Sequence, residues 1–169
     1  PGKILVVDDE KDINDSLSFI LEKEGYIVEQ AENGKVAYDK ILNSYYDLVI
    51  TDIEMPMMKG TELLEKISAV TPRTSVIMIT AYGSLETTIK ALRNGAQDYI
   101  LKPIEFDEIL IKIKRMFDIK NLISENQLLR KEIQRTYDFS ELVGKSLAMN
   151  KVFEMIQTVA ETESTVLIT

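Results

Sequence analysis

The sequence predicts an α/β fold in which helices cover both faces of a five-stranded parallel sheet. Two observations predict this fold: short apolar runs recur along the first hundred residues, and segments of helical periodicity separate them. The apolar runs lie at residues 4–7, 27–28, 48–50, 76–79 and 99–101. Strands of a parallel sheet are buried on both faces, so they need continuous apolar side chains, and these runs supply them.

Three segments between the runs place their apolar residues on one helical face. They lie within residues 13–21, 63–70 and 89–92, and glycines near their ends punctuate the alternation. Past residue 103 the alternation stops and a long helix is predicted, whose first part can cover the domain core through Ile109, Leu110, Ile113 and Phe117. We therefore predict one domain over residues 1–118.

Composition excludes several classes of chemistry. The 169 residues contain no cysteine and no histidine, which excludes disulfides, thiolate metal sites and imidazole catalysis. The net charge is -8 and no basic stretch stands out, so direct nucleic-acid binding by this chain is not expected. Neither a charged-then-apolar leader nor an apolar stretch near ~18 residues is present, which predicts a cytoplasmic protein without membrane attachment.

Aspartates close two of the predicted strands. Asp8 and Asp9 follow the first strand and Asp52 ends the third. The carboxyl ends of parallel strands form the ligand-binding edge of such a sheet. Two carboxylates ~4 Å apart repel by ~4 kcal/mol at an effective dielectric near 20, so the cluster calls for a divalent cation. Helix capping alone could explain Asp8 and Asp9, but Asp52 repeats the pattern and does not lead directly into a helix.

A hydroxyl and an ammonium end the other two strands at this edge. Thr80 closes the fourth apolar run, and Lys102 follows the fifth and precedes Pro103. Considered alone, Thr80 could be an ordinary strand residue and Lys102 a snorkelling surface cation. Together with the aspartates they suit transfer of a phosphoryl group onto a carboxylate, since cations neutralise the phosphoryl oxygens while the nucleophile is held in line.

These residues carry a resemblance to a known family. Residues 3–118 resemble a response-regulator receiver domain, a flavodoxin-like fold, at Asp8-Asp9, Asp52, Met55-Pro56, Gly60, Thr80-Ala81 and Lys102-Pro103. The resemblance implies that Asp52 accepts phosphate from a sensor histidine kinase. It implies that Asp9, Asp52 and the backbone carbonyl of Glu54 bind Mg²⁺, with Asp8 acting through a water.

The same resemblance implies roles for residues around the phosphoacceptor. Thr80 hydrogen-bonds the phosphoryl group, Lys102 pairs with it, and the Lys102–Pro103 peptide is cis. Tyr99 occupies the switch position, although simple strand packing is an alternative for it. Three positions depart from the commonest pattern: Glu54 adds an acid, Met57 replaces a small residue and Lys59 replaces an aspartate.

The segment 119–137 is predicted to be a helical coiled-coil linker. Its seam residues follow one another at spacings of three and four: Ile119, Leu122, Asn126, Leu129 and Ile133. A buried asparagine in such a seam fixes register and favours a parallel dimer, so we expect a homodimer. Because two heptads are short for a coiled coil, a lone amphipathic helix lying on the next domain is the alternative.

Residues 138–169 resemble the opening of the AAA+ ATPase domain of NtrC-type, sigma-54-dependent transcription activators. The resemblance rests on residues 142–146, on an amphipathic helix, and on a final apolar run like the strand before a phosphate loop. The chain contains no GxxxxGK motif, so we expect no ATPase activity from it. A small helical cap is the alternative for this segment.

Together these features predict a phosphorylatable receiver, not an enzyme, with a dimerising linker. The resemblance to NtrC-type activators implies that its dimerisation controls an ATPase acting on sigma-54 RNA polymerase. One alternative is a small metal-dependent phosphohydrolase with Asp52 as nucleophile. Another is a flavin carrier of the same fold, which is disfavoured because three carboxylates repel a flavin phosphate.

Overall fold

The computed structural model describes residues 2–81, 95–136 and 146–160, except for the side chains of residues 132–136 and 157. Contacts divide the chain into two units, Pro1–Asp118 and Ile119–Thr169. The first unit is built on a parallel sheet of five strands in the order β2-β1-β3-β4-β5. The strands are β1 (Lys3–Val7), β2 (Ile27–Ala31), β3 (Leu48–Asp52), β4 (Ser75–Thr80) and β5 (Asp98–Leu101). Each neighbouring pair is parallel, which confirms the predicted fold class.

Five helices occur among the described residues. They are α1 (Lys11–Lys23), α2 (Gly34–Asn43), α3 (Gly60–Val70), α4 (Phe106–Thr136) and α5 (Leu147–Ala160). The segments predicted at 13–21 and 63–70 correspond to α1 and α3, whereas the segment at 89–92 lies outside the described residues. Helix α2 was not singled out from the sequence.

The core has two layers, one on each face of the sheet. Successive strand residues alternate between them, because side chains in a strand point to opposite faces. Leu5 and Val7 pack with residues of α2 and α3, while Ile4 and Val6 pack with residues of α1 and α4. This double covering leaves the carboxyl ends of the strands as the edge where loops and polar side chains converge.

Helix α4 continues beyond the first unit. Its early residues Ile109, Ile113 and Met116 are buried in the core. Over residues 119–131 the side chains are exposed except that of Lys120, which is half-buried. The exposed ones include the predicted seam residues Ile119 (48%), Leu122 (64%) and Leu129 (51%), together with Asn126. Ile133 lies on the same helix, but its side chain is outside the described residues. No helix in the described ranges has the length and apolar character needed to cross a membrane.

A charged cluster lies on strand β2, at one edge of the sheet. The Glu29 carboxylate is paired with Lys3 at 2.8 Å and with Lys40 at 3.2 Å. It also accepts a hydrogen bond of 2.8 Å from the hydroxyl of the buried Tyr46. The hydrogen bonds from Lys3, Tyr46 and Lys40 lower the pKa of Glu29 to about 2. Glu29 therefore remains ionised at neutral pH and ties β2 to its neighbours.

Candidate functional site

The sheet brings the predicted site residues of four strands to one edge. Asp8 follows β1, Asp52 ends β3, Thr80 ends β4 and Lys102 follows β5. Register places Thr80 opposite Leu101, and the backbone N–H of Lys102 donates to the carbonyl of Thr80 at 2.8 Å. Asp8, Asp52 and Thr80 are all buried, at 1%, 7% and 6% exposure. The strands thus place two carboxylates and a hydroxyl, all shielded from water, at the carboxyl edge of the sheet.

Lys102 lies at the centre of this group and contacts three carboxylates. Its Nζ is 2.5 Å from Oδ2 of Asp52, 2.9 Å from Oε1 of Glu10 and 3.4 Å from Oδ2 of Asp8. Burial by itself would lower the pKa of Lys102, but the hydrogen bonds to Asp52 and Glu10 outweigh it and raise the pKa above its ordinary value. Lys102 is therefore an ammonium at neutral pH.

Asp8 has a double role at the end of β1. Its Oδ1 accepts a hydrogen bond of 2.8 Å from the backbone N–H of Glu10, which holds the turn before α1. Its Oδ2 is buried and accepts no hydrogen bond from the described residues, although Lys102 lies 3.4 Å away. Burial raises the pKa of Asp8, partly offset by the Glu10 hydrogen bond and by Lys102. Asp8 therefore stabilises the turn before α1 but does not cap the helix, whose N-cap residue Glu10 makes no side-chain cap hydrogen bond.

Asn14 supports Asp8 from the buried face of α1. Its Nδ2 donates to the carbonyl of Asp8 at 3.1 Å and to the carbonyl of Ala31 at 2.9 Å, so one amide bridges the ends of β1 and β2. Asn14 was not predicted from the sequence. A signal was present, because Asn14 precedes Leu17 and Leu21 at helical spacing, which puts a polar side chain on the buried face.

The loop after β3 shapes the backbone around Asp52. The Asp52 Oδ1 accepts a hydrogen bond of 3.1 Å from the N–H of Glu54, and the N–H of Gly60 donates to the carbonyl of Ile53 at 2.9 Å. A Cβ at Gly60 would collide with the carbonyl oxygen of Asp52. Glycine at position 60 therefore allows α3 to start directly against the backbone of the phosphoacceptor candidate.

The three unusual residues of this loop lie at its outer surface. Met57 is 75% exposed and has φ 68°, a left-handed conformation that a small residue such as glycine would adopt more readily. Glu54 and Lys59 form an exposed ion pair at 2.8 Å. The charges of Glu54 and Lys59, which both depart from the commonest pattern, therefore neutralise each other.

The carboxylates present fit a divalent cation. Oxygens of Asp8, Glu10 and Asp52 lie within 4.8 Å of one another. Carboxylate oxygens are the ligands that Mg²⁺ takes in proteins, usually one or two per ion. The group contains Glu10, which the sequence reading did not select, whereas Asp9 is exposed and lies outside it. The direct metal contacts assigned to Asp9 and to the Glu54 carbonyl remain predictions.

The predicted switch residue lies on β5 beside a lysine. Tyr99 is partly buried against the core, and the Nζ of Lys112 lies 5.7 Å from its ring centroid. Lys112 is held there by Asp98 at 2.9 Å. The Lys102–Pro103 peptide bond is cis, as the resemblance implies. Switching by Thr80 and Tyr99 remains a prediction.

Comparison with known proteins identifies relatives over both parts of the chain. Residues 4–114 match the family model of the response regulator receiver domain. The transcriptional regulatory protein ZraR of Escherichia coli K12 is 36% identical over 165 residues, or 98% of this chain. The regulatory protein AtoC of the same strain is 31% identical over 167 residues, or 99% of this chain. This chain spans 36% of the length of each of these relatives.

Solved structures agree with the sequence relatives. A crystal structure of NtrX from Brucella abortus has a TM-score of 0.73 and 36% identity, covering 98% of this chain and 36% of NtrX. A CheY-like receiver domain protein from Methanospirillum hungatei JF-1 has a TM-score of 0.68 and 43% identity, covering 71% of this chain and 96% of its own. With the fold, the acidic edge and the family match in agreement, the chain belongs to the response regulator receiver family.

Proposed function

We propose that this chain is the phosphoacceptor part of a two-component response regulator, with Asp52 as the acceptor. One observation carries the proposal: the buried carboxylate of Asp52 lies 2.5 Å from the Lys102 ammonium, beside two further carboxylates at the ligand-binding edge. A carboxylate in this position can attack a phosphorus atom, and the ammonium can neutralise the oxygens of the transferred group.

The step is a displacement at phosphorus. A carboxylate oxygen of Asp52 forms a bond to phosphorus while the bond to the donor, a phosphohistidine of a sensor kinase, breaks. Lys102 and the hydroxyl of Thr80 bind the phosphoryl oxygens after transfer. Asp52, Asp9 and the Glu54 carbonyl, with Asp8 acting through a water, would hold Mg²⁺, which would supply further charge neutralisation. The domain is regulatory and not an enzyme with a separate substrate.

The output is proposed to be transcriptional control. The support is the match of nearly the whole chain to transcriptional regulators, together with the resemblance of residues 138–169 to the start of an NtrC-type ATPase domain. The phosphorylated receiver would control that ATPase in the full-length protein and, through it, sigma-54 RNA polymerase in the cytoplasm. Thr80 and Tyr99 would transmit the change from the site.

The helical linker is proposed to pair two copies in a parallel dimer. Support comes from the exposure of Ile119, Leu122 and Leu129, three apolar residues spaced as the seam of a coiled coil with Asn126 between them. Apolar residues left about half exposed on a helix are the surface that a second helix buries. The partner helix would come from a second copy of this chain.

Substitution of the seam should separate the dimer. We expect Leu122→Asp with Leu129→Asp to convert the chain to monomer, because the seam would then bury like charges. Leu128→Asp is the matched control, since Leu128 is 60% exposed but off the seam. Sedimentation at equal concentrations measures both. A double variant as dimeric as the control would show that the linker is not a coiled-coil seam.

The proposed reaction can be tested with a small phosphoryl donor. We expect acetyl phosphate with Mg²⁺ to add one phosphoryl group, detected by intact mass, and peptide mapping to locate it on Asp52. Chelation of the metal should prevent the addition. Steady turnover of phosphomonoesters would favour the phosphohydrolase instead, with the Asp52 adduct as its intermediate.

A further inference from the structure

Glu10 is the member of the acidic group whose role is not accounted for by the phosphoacceptor chemistry. Its carboxylate lies 2.9 Å from the Lys102 ammonium and is 61% exposed. The other two carboxylates that contact Lys102 are buried, with side chains 0% exposed for Asp8 and 10% for Asp52. Lys102 is thus bound by two buried anions and one at the rim.

The charges of the group indicate different roles for Glu10 at the rim and for the buried carboxylates of Asp8 and Asp52. Three carboxylates face one ammonium, which leaves a net charge of two negatives within this group. A divalent cation would offset this charge, but it would compete with Lys102 for Asp52 and Asp8. Without Glu10 the ammonium would share its two carboxylate partners with the metal ion, and in a partly buried site the repulsion between the two cations is weakly screened. A third carboxylate on the rim allows both cations to stay.

We propose that Glu10 is a positioning residue for Lys102. Its carboxylate retains the ammonium at the rim when Mg²⁺ takes Asp52 and Asp8, so that Lys102 remains within reach of the incoming phosphoryl group. The inference rests on the proposed function of the site and adds a residue to it. Helix α1 begins directly after Glu10, and the backbone N–H of Glu10 donates a hydrogen bond to the Asp8 carboxylate. The backbone of Glu10 is therefore held close to the acidic group.

The test measures whether Mg²⁺ releases Lys102. Acylation of lysines by an N-hydroxysuccinimide ester, followed by peptide mapping, gives the labelling rate of Lys102 relative to the exposed Lys114. In the parent chain we expect Mg²⁺ to change the Lys102 rate less than twofold. In Glu10→Gln we expect Mg²⁺ to raise it at least fivefold, because the displaced ammonium has no rim partner. Glu10→Asp keeps the charge and should restore most of the protection.

Kinetics and metal binding distinguish positioning from metal ligation. At saturating Mg²⁺ we expect Glu10→Gln to slow Asp52 phosphorylation by acetyl phosphate about tenfold, while the Kd for Mg²⁺ by calorimetry changes less than threefold. Glu22→Gln, the same charge change at an exposed position late in α1, is the matched control and should behave as the parent.

Two results would overturn the proposal. One is Lys102 labelling in Glu10→Gln that does not respond to Mg²⁺. The other is a Kd for Mg²⁺ at least tenfold weaker with an unchanged rate at saturation, which would make Glu10 a metal ligand. Failure of the parent to take up phosphate would instead reject the proposed function, whereas normal parental phosphorylation with a parent-like Glu10→Gln rejects only the positioning role.

Discussion

Asp52→Asn is expected to abolish phosphorylation by acetyl phosphate, with a loss of ~10³-fold or more, the scale seen when a nucleophile is removed. The amide oxygen is a poor nucleophile, and the substitution also removes one of the anions that attract Mg²⁺. Intact-mass analysis over time measures the rate. The fold should survive, because Lys102 keeps Asp8 and Glu10 as partners and the oxygen of the new side-chain amide can still accept the Glu54 hydrogen bond.

Asp47→Asn is the control for this experiment, because Asp47 lies at the opposite end of β3 from Asp52. Asp47 immediately precedes β3, and its carboxylate accepts a hydrogen bond of 2.9 Å from the backbone N–H of Lys3. Asp47→Asn makes the same chemical change far from the acidic edge and should be phosphorylated at the parent rate. Equal phosphorylation of Asp52→Asn and the parent would show that another residue is the acceptor.

Gly60→Ala is expected to lower the free energy of unfolding by about 2–4 kcal/mol, toward the upper range for overpacked sites. The added methyl would collide with the carbonyl oxygen and carbonyl carbon of Asp52 and with the hydroxyl of Thr51. The two Asp52 atoms belong to the backbone and cannot rotate away. Relief requires movement of the Asp52 backbone, so we also expect slower phosphorylation in the molecules that remain folded. Urea denaturation and acetyl phosphate kinetics measure the two effects.

Gly25→Ala is the control that distinguishes a loss of stability from a change in the geometry of the site. Gly25 has φ +89° and no atom near its missing Cβ, so Gly25→Ala should cost ~1 kcal/mol through backbone strain alone. It lies after α1, away from the acidic edge, and its phosphorylation rate should match that of the parent. If Gly60→Ala were as stable as Gly25→Ala and reacted as fast, the close approach of α3 to Asp52 would have no functional consequence.

The sheet was predictable mainly because β1, β3 and β4 are apolar on both faces. Runs such as residues 48–50 and 76–79 fall inside β3 and β4, and the family motif fixed the order of the site residues. Helix α2 was not predicted because few of its residues are both large and buried. Its buried residues are Gly34, Ala37 and Ile41. Its start is set instead by Asn33, whose side chain accepts hydrogen bonds from Lys35 N and Val36 N.

Only part of the group at the sheet edge was predictable from the sequence. Strand ends identified Asp8, Asp52, Thr80 and Lys102, since parallel strands bring those positions to one edge. The participation of Glu10 could not be derived, because an acid before a helix is ordinarily explained by capping and the dipole. Only the three-dimensional arrangement shows its side chain turned to Lys102.

The charged cluster on β2 bears on how copies of the chain associate. A strand at the edge of a sheet has unpaired backbone groups that can pair with a strand of another molecule, and charged residues placed there discourage this. Glu29, paired with Lys3 and Lys40, places charged side chains on this edge strand. The cluster therefore acts against edge-to-edge aggregation through β2.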